Sequence, residues 1–321
     1  MTILVVTNSN DPTADFAIDN FMKKNVPFVR LNTDKFLTEI EHEFAIQTGT
    51  TPYSMEMKID GVDLNIDSIK GIWLRRPEDP IPDSSITIPE AKRYCITEAN
   101  YLLRCLYSLL ENRAWVSHPK AITYANVKLH QLEMARKMGL LIPRSLCTNN
   151  PDTALKFIGE VKNVVVKPFK ANVIETEGTT AVIYTSRVDA AAIKNIATIR
   201  FAPTFFQEEI AKVKEYRVTI FGNCFFVTSI DSQSDPNLKL DWRSSSDKPK
   251  EWKADDLPDE ILRKCFAMVK AYGLNYGAFD FALTPDGQII FFELNPNGQW
   301  AWQEIYLGLP MTDALIRTLG Y

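Results

Sequence analysis

Apolar and polar positions alternate along this chain with a period that switches from two to about 3.6 and back, which marks interleaved strands and helices. Ile3-Leu-Val-Val-Thr7 reads as a buried strand, Asp15 to Lys24 as a helix and Val26 to Leu31 as a second strand. Paired strands are expected around Phe44 to Gln47 and Met55 to Ile59, and Gly71-Ile-Trp-Leu-Arg-Arg-Pro77 is a short strand ending in two arginines. This is the pattern of a small α/β layer domain. A proline-rich link from Pro77 to Pro89 leads to a helix from about Glu90 to Glu111, where Ala91, Cys95, Ala99, Leu102, Leu106 and Leu109 recur at three- and four-residue spacing. That stripe packs against a core, and a helix this long suits a homodimer contact.

A second region begins at His118-Pro119, with Asn126 as the expected cap of a helix carrying Lys128, His130 and Gln131. Pro143 precedes a new strand, Asn163-Val-Val-Val-Lys-Pro168 is a buried strand closed by a lysine, and Ala181 to Thr185 is its expected hairpin partner. A third region opens with Phe205-Phe-Gln-Glu-Glu-Ile210 and continues through Tyr216 to Gly222. The reading divides the chain at 1–117, 118–202 and 203–321, with no internal repeat.

The densest chemistry lies between Tyr276 and Gly298. Thr284-Pro-Asp-Gly287 closes a hairpin. If Leu283 opposes Gln288, Asp280 opposes Phe291 and shares a face with Glu293 and Asn295. Three oxygen ligands then converge among Phe279, Phe281, Phe291, Phe292 and Leu294, where an uncompensated carboxylate is costly. Few carboxylates and room for waters and phosphates suit magnesium on a nucleotide. A one-residue slip in register would send Asp280 to the other face.

Composition narrows the alternatives. At 321 residues, 45% apolar and 24% charged, the chain has the make-up of a globular protein of two or three domains. A net charge of -4 gives no reason to expect a nucleic-acid partner. The N-terminus enters a strand without a signal-like segment and no apolar stretch is long enough to span a membrane, so a cytoplasmic location without membrane contact is expected. Five scattered cysteines and three histidines lack the spacing of a zinc site or a nucleophile motif, and the cysteines are expected to be reduced and mostly buried.

A lysine closing a Val-Val-Val strand calls for an anion, and a triphosphate is one. In order come Lys128, Lys167, a polar loop with Gly178, Gln207-Glu-Glu-Ile210, Glu215-Tyr-Arg217, Asp241-Trp-Arg243, Asp280 and Glu293-Leu-Asn295. This series resembles the ATP-grasp superfamily, in particular its RimK-like ligases. With Ile72-Trp-Leu-Arg-Arg-Pro77 and Phe292-Glu-Leu-Asn-Pro-Asn-Gly-Gln-Trp300, the whole chain is similar to the MvdD-like graspetide synthetases, which mature microviridin-type peptides.

The resemblance implies an ATP-grasp fold: an N-terminal Rossmann-like pre-ATP-grasp domain, then central and C-terminal domains clamping ATP. It places Lys128 and Lys167 on the phosphates, adenine near Glu208, Glu209 and Ile210, and Glu215 at the ribose. Asp280, Glu293 and Asn295 match ligands of magnesium, expected as two ions, and Arg217 and Arg243, with Lys167, match catalytic cations near the transferred phosphate. The loop Phe169 to Gly178 has one glycine where many relatives have several. The implied substrate is a ribosomal precursor peptide whose leader docks on the central domain around Thr185 to Asn195, with Asp189 as a candidate contact and Arg75 and Arg76 as candidates for the acidic core. Asp or Glu side chains would become acyl phosphates and close lactones on Thr or Ser, or lactams on Lys. Two alternatives are a RimK-like ligase that adds a free amino acid and a non-catalytic nucleotide-binding regulator, against which the full phosphoryl-transfer set argues.

Overall fold

The structure is a computed structural model that describes residues 1–46, 54–169, 173–176, 179–182, 185–233 and 251–321. Arg243, Asp241 and Gly178 lie outside the described residues.

The chain opens with β1 (Thr2–Thr7), α1 (Pro12–Lys23) and β2 (Phe28–Asn32), then β3 (Ile40–Ala45), β4 (Ser54–Ile59), β5 (Val62–Asn65) and β6 (Ile69–Leu74). α2 (Pro89–Leu109) and β7 (Ala114–Val116) complete this part. β2, β1, β6 and β7 form a parallel sheet in that order. β1 is apolar from Ile3 to Val6 because both faces are covered: Ile3 and Val5 join one core, Leu4 and Val6 the other. Asp11 starts α1 by accepting the N–H groups of Thr13 and Ala14, with proline at the first position. β3, β4 and β5 make a separate antiparallel meander. In α2 the buried stripe is Ala99, Leu103, Leu106 and Tyr107, rotated from the expected one, and Leu109 is exposed with Ile88, Tyr94 and Tyr101. The chain enters α2 along the edge of the core, so its first turns face solvent.

α3 (Pro119–Ala125) and α4 (Lys128–Lys137) follow. Asn126 is the C-terminal cap of α3, and the residue before α4 is Val127, which makes no side-chain cap. The expected helix is thus α4, but its cap differs: Asn126 instead ends a preceding helix, α3, that was not expected. Next come β8 (Ser145–Thr148), α5 (Pro151–Val161), β9 (Val164–Lys167), β10 (Val173–Thr176), β11 (Thr179–Val182), β12 (Ser186–Arg187), α6 (Ala190–Lys194) and β13 (Thr204–Glu208). β9 does not pair with the 181–185 run: β11 folds back on β10, while β9 lies between β12 and β13. The sheet order β12-β9-β13-β8 carries the central unit past residue 202.

The C-terminal part contains β14 (Lys214–Phe221), β15 (Cys224–Ile230), β16 (Lys253–Ala254), α7 (Asp259–Ala271), β17 (Tyr276–Leu283), β18 (Ile289–Asn295), α8 (Ala301–Leu307) and α9 (Met311–Thr318). Its sheet runs β16-β15-β14-β17-β18. Gly277 is required in β17 because a Cβ there would lie 2.8 Å from Leu294 Cδ1. Trp300 is fully buried against Phe16, Trp73 and Phe221, so it joins the N-terminal domain to this sheet. All five cysteines are free, but only Cys265 is buried; the other four are half-buried.

Candidate active site

The expected register of the hairpin is wrong by one, and a bulge restores its consequence. Leu283 faces Ile289 and Phe281 faces Phe291, which in a regular ladder would set Asp280 opposite Phe292. An irregularity after Asp280 admits one extra residue, and Asp280 faces Glu293 instead. The carboxylates are therefore direct cross-strand neighbours, which like charges do not tolerate without cations.

Those cations are present. Arg217, opposite Asp280 on β14, donates from Nη1 to Asp280 Oδ1 at 2.6 Å. Lys128, at the start of α4, places Nζ 3.6 Å from Glu293 Oε2. Asn295 Nδ2 lies 3.4 Å from Asp280 Oδ2 and 3.2 Å from Glu293 Oε1, bridging the two acids. Asp280 and Arg217 are only 8% and 5% exposed. Burial works against the Arg217 charge, yet Asp280, Tyr276 and Glu293 more than offset it and its pKa is raised. Beside it, burial pushes the Tyr276 phenol up to about 12, so it stays a neutral donor, bonded to Gly298 O at 2.9 Å.

The central domain reaches the same place. Lys167 holds its Nζ 4.8 Å from the centre of the Phe292 ring, the bulged residue, and Lys212 is 5.9 Å from it. Lys212 also lies 2.8 Å from Glu215, buried next to it on β14. Glu208 and Glu209 are at the end of β13. Glu208 Oε2 accepts the Arg144 N–H at 3.1 Å, and Glu209 pairs with Arg187 at 2.5 Å. Ile210 follows, half-buried.

The remaining candidates lie elsewhere. Asp189 caps α6, accepting the Ala192 N–H at 2.8 Å while exposed. Arg76 is exposed at the end of β6, whereas Arg75 is 1% exposed. Arg75 lies 3.7 Å from Asp11 and donates to Asn297 O at 3.0 Å, while Asn297 Nδ2 donates to Arg75 O. Burial lowers its pKa, with Asp11 opposing and Arg76 adding to the effect.

Two residues escaped the sequence reading. Gln131, mentioned only as part of a helix, bonds both backbone groups of Leu294, between Glu293 and Asn295. Gln303 is buried between Thr219 and Thr228, at 2.8 and 2.9 Å, behind Arg217. A buried glutamine flanked by apolar helical positions is the signal that could have flagged both.

The arrangement is a cleft of cations around two paired carboxylates and an amide, at the junction of two sheets and a helix. Such a set can hold polyphosphate charge and a hard cation, as in the ligases of the ATP-grasp class. Residues 2–123 match the MvdD pre-ATP-grasp domain model. Among solved structures, the macrocyclase MdnC from Microcystis aeruginosa MRC, bound with its precursor peptide MdnA, is 28% identical over 99% of both chains, with a TM-score of 0.87. The macrocyclase MdnB from the same organism is 29% identical over 100% of this chain and 99% of its own, with a TM-score of 0.81. A RiPP-associated ATP-grasp ligase of Chryseobacterium gregarium, in complex with ADP and a leader and core peptide, shares the fold at a TM-score of 0.89 with 24% identity, over 99% of this chain and 96% of its own. No curated protein sequence matches. The chain is an ATP-grasp ligase. Its N-terminal domain matches that of the MvdD-like graspetide synthetases, and the chain as a whole is similar to macrocyclases of that kind.

Proposed function

We propose that this enzyme uses ATP and magnesium to activate Asp or Glu side chains of a ribosomal precursor peptide and closes them onto Thr, Ser or Lys as macrolactones or macrolactams. The observation that carries this reading is the meeting of Arg217, Asp280, Glu293, Asn295, Lys128 and Lys167 in one place. The donors fit magnesium. Among the described residues no three His, Cys, Asp or Glu side chains cluster to enclose a metal, and the two carboxylates plus the Asn295 amide leave positions for phosphate oxygens and water. Asn295 now turns its Nδ2 toward both acids, and rotating the amide by half a turn offers Oδ1 instead. We assign Asp280, Glu293 and Asn295 to the metal, expected as two ions, which would offset phosphate charge when bound.

The chain's own residues do the rest. Lys128 and Lys167 come from opposite sides and meet the polyphosphate. Glu208, Glu209 and Ile210 border adenine, and Glu215 meets the ribose. Arg217 is locked by Asp280 and the Gln299 carbonyl, so it faces the transferred phosphoryl group without reorganising; Arg243 is assigned the same task. A peptide carboxylate oxygen attacks the terminal phosphorus and ADP leaves. A hydroxyl or amine held nearby then attacks the acyl carbon and phosphate leaves. The leader is assigned to the central domain near Asp189, the acidic core to Arg76 and, through its neighbourhood, Arg75. ATP and a ribosomal substrate put the reaction in the cytoplasm. Tyr94 and Tyr101 on α2, with Ile88 just before it, offer a homodimer face.

The test is intact mass of a candidate precursor incubated with enzyme, ATP and magnesium. Each ring removes about 18 Da, the water lost when an acyl phosphate meets an internal nucleophile, and Glu293→Gln should abolish the loss. Mass gain with a free amino acid would replace this reading with the RimK-like one, and no ADP under any condition would leave a nucleotide-binding regulator.

A further inference from the structure

We infer that Gln131 is a positioning residue for the metal-binding side chains: from α4 its carboxamide stands in for a neighbouring strand and fixes the aim of Glu293 and Asn295. The inference rests on the metal assignment proposed above.

Among the described strands, β18 is the last of its sheet and pairs only with β17, apart from an isolated bridge between Ile290 and Leu141. Its outward backbone groups need partners from elsewhere. Phe291 N–H finds Leu141 O at 2.8 Å. Leu294 finds Gln131: its N–H donates to Oε1 at 3.0 Å, and its carbonyl accepts from Nε2 at 2.8 Å. A primary amide presents a donor and an acceptor side by side, which is the pattern of one ladder position. The second Nε2 hydrogen goes to Ala125 O at 2.5 Å, so the carboxamide is tied to the end of α3 as well. Gln131 is 3% exposed, and a buried amide with every group engaged has one orientation.

The position of the clamp gives it consequence. Leu294 points into the core, so its neighbours on both sides point into the cleft. Directly before it, the bulge has broken the regular ladder at Phe292. Gln131 thus secures the strand where its own pairing is irregular. Lys128, three residues earlier on the same helix face, meets Glu293 itself. One helix therefore supplies both a cation for the carboxylate and the brace for its backbone. Partners that orient metal ligands in this way commonly hold ten- to a hundred-fold in metal affinity.

The experiment compares wild type, Gln131→Leu, Gln131→Glu and Glu293→Gln as full-length enzyme. Manganese binding in the presence of ADP is read by electron paramagnetic resonance, beside metal-free ADP affinity, melting temperature and amide exchange across residues 291–297. Both Gln131 variants should bind manganese about 10-fold more weakly, keep metal-free ADP affinity within about two-fold, and exchange the Leu294 amide faster. Lower melting temperature with unchanged manganese affinity would make Gln131 merely structural and overturn the inference. Should neither variant fold, wild type still decides, because a Leu294 amide exchanging as fast as an open strand edge overturns it too. Retention of manganese binding by Glu293→Gln would instead sink the metal assignment.

Discussion

Gly298 shows how little room the site leaves. A Cβ there would lie 2.7 Å from Arg217 Nη2, 3.1 Å from Ala278 Cβ and 3.2 Å from Asn295 Cβ. The Arg217 guanidinium and the amide between the two acids are both packed against a missing side chain. Gly298→Ala must therefore push Arg217 away from the Gln299 carbonyl or open the strand beneath it. Displacement of about 1 Å in a reacting constellation can cost about 100-fold. A fall of that order in the turnover rate of ADP release is expected, with precursor affinity retained if the leader docks near Asp189 as proposed. Equal losses in both would mean that the substitution disturbs the domain rather than the arginine.

At the scale of elements, the hairpin β17–β18 shows what a sequence can and cannot disclose. Alternation placed Asp280, Glu293 and Asn295 together, and they are together. The register behind that expectation was off by one, because Thr284 N–H bonds Gln288 O and sets Leu283 opposite Ile289. A bulge then supplied the compensating residue. Bulges follow from packing of the two strands against their surroundings, here α4 and the Phe279, Phe281 and Phe291 cluster, and no local pattern announces them. α3 was missed, and Asn126 was read as the cap of α4 rather than the end of α3, because α3 is short and a polar residue between two helices can cap either one. β9 was paired with the wrong strand because antiparallel partners distant in sequence carry no mark of each other. Strand-to-strand ties also predict behaviour. Asp255, just after β16, accepts from Lys214 of β14 at 2.8 Å and Ser229 of β15 at 2.5 Å. Burial opposes its charge, but these donors outweigh it and bring its pKa down to about 2. A carboxylate depressed in the folded state stabilises above its unfolded pKa and loses that contribution as pH falls toward about 2. Asp255→Asn should cost roughly 1–2 kcal/mol at pH 7, and the difference in urea midpoint should narrow as the pH is lowered to 3. A gap independent of pH would refute the ionic origin.

For the whole molecule, the junction between the N-terminal sheet and the C-terminal loop is fixed by Arg75, Asp11, Asn297, Thr13 and Gln299, with Trp300 packed beside them. Arg75 has buried Nε and Nη2 atoms without a hydrogen-bond partner among the described residues, so its position is stabilised by charge and enclosure rather than by saturation of its donors. Arg75→Met leaves Asp11 buried without its cation. Removal of one partner from a buried pair costs on the order of 3–5 kcal/mol. Urea unfolding should show a loss of that size, and a loss below about 1 kcal/mol would mean that Asp11 is satisfied by its bonds from Thr7, Thr13 and Ala14 without the arginine. The motif Trp73-Leu-Arg-Arg76 was legible as distinctive, but its two arginines look alike in sequence. Only the fold separates them, one sealed at the domain junction and the other facing solvent.

The outer margin of β18 has a further consequence. It is occupied by the Leu141 carbonyl and the Gln131 carboxamide, both contributed by the segment between the N-terminal domain and the central sheet. A fragment beginning after that segment would carry the whole five-stranded sheet with a bare, phenylalanine-rich border, open to strand addition by another copy of itself. The chain is therefore not expected to divide into halves that survive apart, since α4, beside the cleft, also covers this edge.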